Sequence, residues 1–179
     1  CVIQYCLDNR GDYKDITIIY GARTWSDHVY KDETAEWGNR PDVKVWLCID
    51  WKSKSDGAGL SEEAAEEGWR PINMREPGAT ALDPAHRRYT AFVPQLVEAL
   101  QPPPQDCVAV LCGPPIMIKF TLQSLKKLGF ESRHVYTTLE NRMKCGIGKC
   151  GRCNVGAFYV CKEGPVLTAE QLEALPPEM

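Results

Sequence analysis

Cys107-Val-Ala-Val-Leu-Cys-Gly-Pro-Pro-Ile-Met117 is the stretch on which the fold turns. Its first part, Cys107–Leu111, is uninterrupted apolar sequence, the pattern of a strand buried on both faces. Cys112-Gly-Pro-Pro115 breaks that run. Ile116, Met117, Phe120, Leu125 and Leu128 then recur on the apolar side of a helix that Gly129 closes. A strand that passes through a glycine turn into a helix is one step of a parallel α/β sheet.

The same step recurs upstream. Asp15–Tyr20 is a β-branched strand that ends in the turn Gly21-Ala-Arg23. Thr24 and Asp27 then give a capping signal, and a helix runs through Val29, Glu33 and Trp37 to Gly38. A second buried strand covers Val43–Cys48, with Ile49 and Asp50 at its C-terminal end. Phe92, Val93, Leu96, Val97 and Leu100 predict an amphipathic helix whose first turn tolerates Pro94. A fourth strand is expected at His134–Thr138, and the chain opens with a helix over Val2–Asn9 that stops near Gly11. Ser61, the glutamate-rich run to Glu67 and Gly68 read as a short, solvated acidic helix. Arg70–Arg88, with three prolines, predicts no element. The expected fold class is therefore α/β with a doubly wound parallel sheet. Ligands bind such sheets beyond the carboxyl ends of the strands, which makes Gly21, Arg23, Asp50, Cys112, Gly113 and Pro114 candidate binding residues.

The C-terminal quarter is of a different kind. Cys145-Gly-Ile-Gly-Lys-Cys150-Gly-Arg-Cys153 is followed by Cys161. The C-x4-C-x2-C spacing is that of plant-type 2Fe–2S ligation. Two irons sharing two sulfides need four thiolates in one small volume, and glycines allow a short loop to wrap tightly enough. They also let backbone amides approach the sulfurs and tune the centre. Structural zinc is the alternative for four cysteines, although zinc ribbons use two C-x2-C knuckles and this chain has one. Disulfides are the third reading. Cys161 is expected beside a strand or turn over residues 157–160, and Thr168–Gln171 is a capping box that opens a last helix before Pro176.

Composition is that of an ordinary globular chain of 179 residues, 44% hydrophobic and 25% charged. The net charge of −3 suggests no nucleic-acid partner, and no apolar run approaches the ~20 residues that span a bilayer. Of the remaining cysteines, Cys1, Cys6, Cys48, Cys107 and Cys112, most sit in apolar segments as small hydrophobes, a usage that points to a reducing compartment, the cytoplasm. His28, His86 and His134 have no ligand spacing and read as structural or surface residues.

Tyr20-Gly-Ala-Arg-Thr24, Cys112-Gly-Pro-Pro-Ile-Met117, the stretch from Leu139 through Cys153, and Tyr159-Val-Cys-Lys-Glu-Gly-Pro-Val166 together resemble a known family. It comprises the electron-transfer subunits built on the ferredoxin–NAD(P) reductase scaffold. Examples are the iron–sulfur subunit of dihydroorotate dehydrogenase and the gamma subunit of NAD(P)-linked nickel–iron sulfhydrogenases. The resemblance implies an NAD(P)-binding domain over residues 1–138 and a small Cys-rich 2Fe–2S lobe over 139–179. It implies hydride exchange between NAD or NADP and FAD, then single electrons through the cluster to other redox subunits of a hydrogenase or dehydrogenase. Cys112 and Gly113 would lie beside the nicotinamide, Cys112 tuning hydride transfer, with the helix N-terminus at Pro114 near the crevice. Arg23 would meet a ribose 2′-phosphate. Glu140 and Met143 would line the flavin edge, and Cys145, Cys150, Cys153 and Cys161 would hold the cluster. A zinc-stabilised nucleotide-binding module without redox activity is the competing function.

The same resemblance leads one to expect that the chain lacks the family's N-terminal flavin barrel, the first nucleotide-domain strand and its glycine loop. The native polypeptide is then expected to extend N-terminally by those parts, with the strands at Ile16–Tyr20 and Cys107–Leu111 flanking the missing one.

Overall fold

The computed structural model describes residues 2–50, 68–72, 82, 87–139 and 142–176. The chain divides into two compact units, Cys1–Leu100 and Gln101–Met179. The expected acidic helix up to Glu67, most of the Arg70–Arg88 stretch, His86 and Glu140 lie outside the described residues.

The first unit runs α1 (Val2–Asp8), β1 (Ile16–Ala22), α2 (Lys31–Gly38), β2 (Val43–Ile49), β3 (Arg70–Pro71), β4 (Arg88–Thr90) and α3 (Val93–Leu100). Its sheet has the order β1-β2-β4-β3, and every pairing is parallel. β2 sits inside the sheet and is apolar on both faces, as a central parallel strand must be. Val43, Val45, Leu47 and Ile49 pack with Leu7 of α1, Ile18 and Trp69, and Trp37 of α2 lies against that cluster. On the other face, Trp46 and Cys48 pack with Tyr89 and with Leu96 of α3. Helices thus cover the two faces of this sheet, the doubly wound arrangement expected from the alternation of elements. Arg10 ties the end of α1 to the start of β2, its guanidinium lying 2.9 Å from the Asp42 carboxylate and donating to the Asp42 carbonyl at 2.8 Å. The Thr24–Asp27 signal is realised as a full capping box on a 3-10 turn, Trp25–Asp27.

The second unit runs β5 (Ala109–Leu111), α4 (Pro115–Lys127), β6 (Val135–Thr138), β7 (Asn154–Val155), β8 (Phe158–Tyr159), α5 (Val160–Glu163), β9 (Val166–Thr168) and α6 (Ala169–Glu173). β5 and β6 pair in parallel, and β9 returns antiparallel along β6. β7 and β8 form a small antiparallel hairpin. Thr168 and Gln171 form the expected capping box at the start of α6. Among the described residues, β1 stands at an edge of the first sheet and β5 at an edge of the second.

Three sequence expectations change. Gly21 and Ala22 are not a turn: they continue β1, pairing with Cys48 and Ile49. β5 is shorter than Cys107–Leu111, because its partner β6 begins at Val135, opposite Ala109. The buried stripe of α4 is Ile118, Thr121, Ser124 and Leu125, whereas Ile116 and Phe120 are 62% and 49% exposed. Two small hydroxyl side chains occupy core positions there, so a count of apolar residues assigns the wrong face.

Gly21 is glycine for a packing reason. A Cβ at this position would lie 2.5 Å from Cγ2 of Val93, in the first turn of α3, and 3.1 Å from Sγ of Cys48. Gly21→Ala must push α3 off the sheet and is expected to cost about 1–3 kcal/mol, as overpacking does. Gly11→Ala meets nothing within 4 Å and should stay within about 0.5 kcal/mol of the parent. Thermal or urea unfolding of the two variants checks this; equal stabilities would remove the packing argument.

Candidate iron–sulfur centre

The four cysteines singled out by spacing all lie in the second unit. Cys145, Cys150 and Cys153 are carried on the loop that follows β6. Cys161 is carried by α5, one residue past its start, rather than by the preceding strand. The loop wraps because Gly146, Gly148 and Gly151 take left-handed backbone, with φ of 72°, 70° and 65°, where other L-residues pay roughly 1–2 kcal/mol. Two consequences follow for the sulfurs. The Gly148 N–H donates to Sγ of Cys161 at 3.2 Å, and the Lys149 N–H donates to Sγ of Cys145 at 3.3 Å. Backbone amides therefore face the thiols, as the glycine spacing anticipated.

The electrostatics bear this out. The amides of Ile147, Lys149 and Cys150, then the Cys150 thiol, draw the Cys145 thiol down to about 6. Cys161 is pushed up, first by its hydrogen-bonded neighbour Cys153, then by burial and by the charges of Cys153 and Cys145, with the Gly148 amide opposing. The sulfurs thus interact as two pairs, Cys145 with Cys150 and Cys153 with Cys161, near enough to perturb one another. Among the described residues, no three His, Cys, Asp or Glu side chains close on a single ion-sized point.

The base of the lobe is apolar and tied by backbone hydrogen bonds. Cys153 is 1% exposed and packs with Leu139, Val155, Val160 and Leu167. The Val160 N–H donates to the Cys153 carbonyl at 3.2 Å, and the Leu139 N–H donates to the Pro165 carbonyl at 2.7 Å. Cys150 stays exposed at the outer rim. Four thiols in two interacting pairs, bedded on an apolar base and met by backbone amides, fit the donor set of an iron–sulfur cluster.

Residues 140–173 match the iron–sulfur cluster binding domain of dihydroorotate dehydrogenase B. Over 98% of its length, the chain is 32% identical to the gamma subunit of sulfhydrogenase 1 of Pyrococcus furiosus, of which it covers 52%. Over 96% of its length, it is 42% identical to a probable dihydroorotate dehydrogenase B (NAD(+)) electron transfer subunit of Thermococcus kodakarensis, of which it covers 54%. The chain is similar to both along nearly its whole length. It spans about half the length of these relatives. Among solved structures, the CS-b5R domains of human Ncb5or align over 76% of this chain and 31% of theirs, at 12% identity and a TM-score of 0.49.

The remaining candidates fall into two groups. In the first unit, β1 and β2 end level with each other, the Asp50 N–H donating to the Ala22 carbonyl at 3.0 Å. This brings Gly21, the exposed Arg23 and the half-buried Asp50 to one end of the sheet. In the second unit, Cys112, Gly113 and Pro114 leave the end of β5, with Cys112 exposed and Pro114 capping α4. Met143 is exposed on the cluster loop. His28 is buried, with Nε2 3.2 Å from the Cys48 carbonyl and the ring edge-on to Tyr20. Burial lowers its pKa. His134 is exposed. Among the described residues, no helix is long and apolar enough to cross a membrane.

Spacing did not reveal Lys162. Its aliphatic stem lies where a Cβ on Gly148 would have to go, and that contact joins residues far apart in sequence with no local signal. Gly148→Ala therefore meets both an unfavourable φ and a filled space. It should weaken the loop by roughly 1–2 kcal/mol and lower the iron retained per chain. Metal analysis beside a thermal melt checks this; unchanged iron content and melting temperature would contradict it.

Proposed function

We propose that the chain is the nucleotide-binding and cluster-binding part of an electron-transfer subunit. It serves a relay between NAD(P)H, FAD and a 2Fe–2S cluster and delivers to partner redox subunits, those of a nickel–iron hydrogenase first. The observation that carries this reading is the folded cysteine loop, in which backbone amides donate to Sγ of Cys145 and Cys161. The dihydroorotate dehydrogenase alternative has its own support in the match of residues 140–173 and in the 42% identity to such a subunit. Either assembly would be a cytoplasmic oxidoreductase made of several subunits.

Residues up to Thr138 are read as the NAD(P)-binding domain and those from Leu139 as the cluster lobe. Bound together, a flavin and a 2Fe–2S cluster supply the change from a two-electron hydride donor to single electrons. The chain's own residues position and tune. Cys145, Cys150, Cys153 and Cys161 would hold the two irons, and the Gly148 and Lys149 amides would draw electron density from the sulfurs, favouring the reduced state. Cys112 and Gly113 would flank the nicotinamide, with Pro114 presenting the α4 N-terminus to a phosphate. Gly21, Arg23 and Asp50 would take the nucleotide end. Arg23, a guanidinium where ribose is read, favours NADP over NAD. Glu140 would stand at the flavin edge.

Anaerobically purified protein should carry iron and acid-labile sulfide, each near two per chain, with an EPR signal on reduction. Stoichiometric zinc without iron would leave the zinc-stabilised module instead. Arg23→Ala should raise KM for NADPH roughly tenfold or more, the worth of a charge-assisted hydrogen bond of about 1.5–3 kcal/mol, with little change for NADH. In the same stopped-flow experiment, Cys112→Ala should slow flavin reduction with the visible spectrum intact. Equal losses for both nucleotides, and an unaltered Cys112→Ala rate, would reject these two roles.

A further inference from the structure

From Arg142 to Lys162 the sequence holds Arg142, Lys144, Lys149, Arg152 and Lys162 and no acidic residue, in a chain of net charge −3; the next residue, Glu163, turns its carboxylate back to the Tyr159 N–H. All five are exposed. Among the described residues, none of them is engaged in an ion pair. Their placement follows the cysteines: Lys144, Lys149 and Arg152 directly precede Cys145, Cys150 and Cys153, and Lys162 directly follows Cys161. The fold holds the fourth of these with the other three, since the Lys162 stem lies on Gly148 and the Gly148 amide reaches Cys161. The result is a collar of cations around the sulfurs.

Two large apolar side chains stand out of that collar, Ile147 at 60% and Met143 at 54% exposure. A loop that merely faces water gains nothing from an exposed isoleucine and methionine beside its lysines. An apolar centre within a charged rim is how protein interfaces are built, and methionine adapts to a partner's surface. Nucleic acid fits less well. Single strands are gripped by exposed aromatic platforms, whereas the exposed large side chains here are aliphatic and the aromatics Phe158 and Tyr159 are half-buried.

We propose that this loop is the docking face for a separate one-electron carrier protein whose own redox centre is ringed by Asp and Glu. The proposal rests on reading Cys145, Cys150, Cys153 and Cys161 as cluster ligands. The transfer it serves is of a single electron: the carrier's centre is reduced as the lobe's is oxidised, and no bond or proton changes hands. The collar speeds encounter and sets orientation over about a Debye length, roughly 8–10 Å at physiological salt, and Met143 and Ile147 make the contact that excludes water.

The test uses the full-length, iron-loaded protein with two probes, an acidic plant-type ferredoxin and the basic protein cytochrome c. Binding is measured by titration calorimetry, and electron transfer from the dithionite-reduced protein is followed in parallel. The ferredoxin should bind at low salt and weaken at least tenfold between 50 and 300 mM NaCl, while cytochrome c should not bind. That salt dependence is read on the parent protein and needs no variant. Lys144→Glu, Lys149→Glu and Arg152→Glu combined should lose ferredoxin binding tenfold or more and gain cytochrome c binding, the visible spectrum reporting that the cluster is retained. Met143→Ser with Ile147→Ser should weaken ferredoxin binding without changing its salt slope. Salt-independent binding, no preference between the two proteins, or an RNA or DNA oligonucleotide bound as tightly as the ferredoxin would overturn the docking proposal. Anaerobically purified protein that carries zinc and no iron, whatever its preference between the two probes, would instead overturn the cluster assignment.

Discussion

The loop that carries Cys145, Cys150 and Cys153 can wrap only where its backbone turns left-handed, and this constraint organises the cysteine lobe. Gly146, Gly148 and Gly151 supply the turns. Because the backbone curls inward at each, its amides point at the sulfurs instead of at one another, and the hydrogen bonds to Cys145 and Cys161 follow. The apolar base under Cys153 fixes one side of the loop, and α5 brings Cys161 to the other side. No single element holds the site. It is the meeting of a left-handed loop with a four-residue helix, and the helix is placed by the β7–β8 hairpin before it.

In the first unit, the constraint is burial of β2 on both faces. A strand with no polar side must lie inside a parallel sheet, so β1 and β4 flank it and helices cover it above and below. Parallel pairing in register then brings the ends of β1 and β2 level, which is why Arg23 and Asp50 leave the sheet together. Gly21 acts one step earlier. By lacking a Cβ it lets Val93 of α3 close on β1. A glycine that looks like a ligand-approach residue is thus what allows a helix to seal the sheet beneath the ends where a ligand would sit.

Features set by local chemistry were legible in the sequence. Strand β2 showed as an apolar run, both capping boxes showed in residue pairs three apart, and Pro94 fitted the first turn of α3 as expected. The glycine spacing in the cysteine loop anticipated the amides that meet Sγ of Cys145 and Cys161. Features decided by contacts distant in sequence were not legible. The buried face of α4 includes Thr121 and Ser124, whose small size suits a tight contact that hydrophobicity alone does not rank. The length of β5 is set by where β6 begins. His28 reads as an ordinary surface or structural histidine, and only the fold shows it buried against the Cys48 carbonyl and Tyr20. Lys162 on Gly148 has no sequence signature.

The cysteines show how the fold makes different chemistry from one side chain. Cys48 lies inside β2 at 1% exposure, where burial, with a smaller push from Asp50, raises its thiol to about 12. Its thiolate is unavailable at neutral pH, and it behaves as a small hydrophobe between Trp46, Tyr89 and Leu96. Cys107 is pushed the same way, by burial alone. Cys145 is drawn to about 6 by amides that the glycine turns aim at it, so a thiolate, the form that binds metal, is accessible near neutrality. Burial is therefore not what prepares a cysteine for ligation here. Cys153 is as buried as Cys48, yet it lies against Cys161 and shares its surroundings. What distinguishes the loop cysteines is company: sulfurs beside sulfurs with amides directed at them, an arrangement that apolar strand packing does not produce.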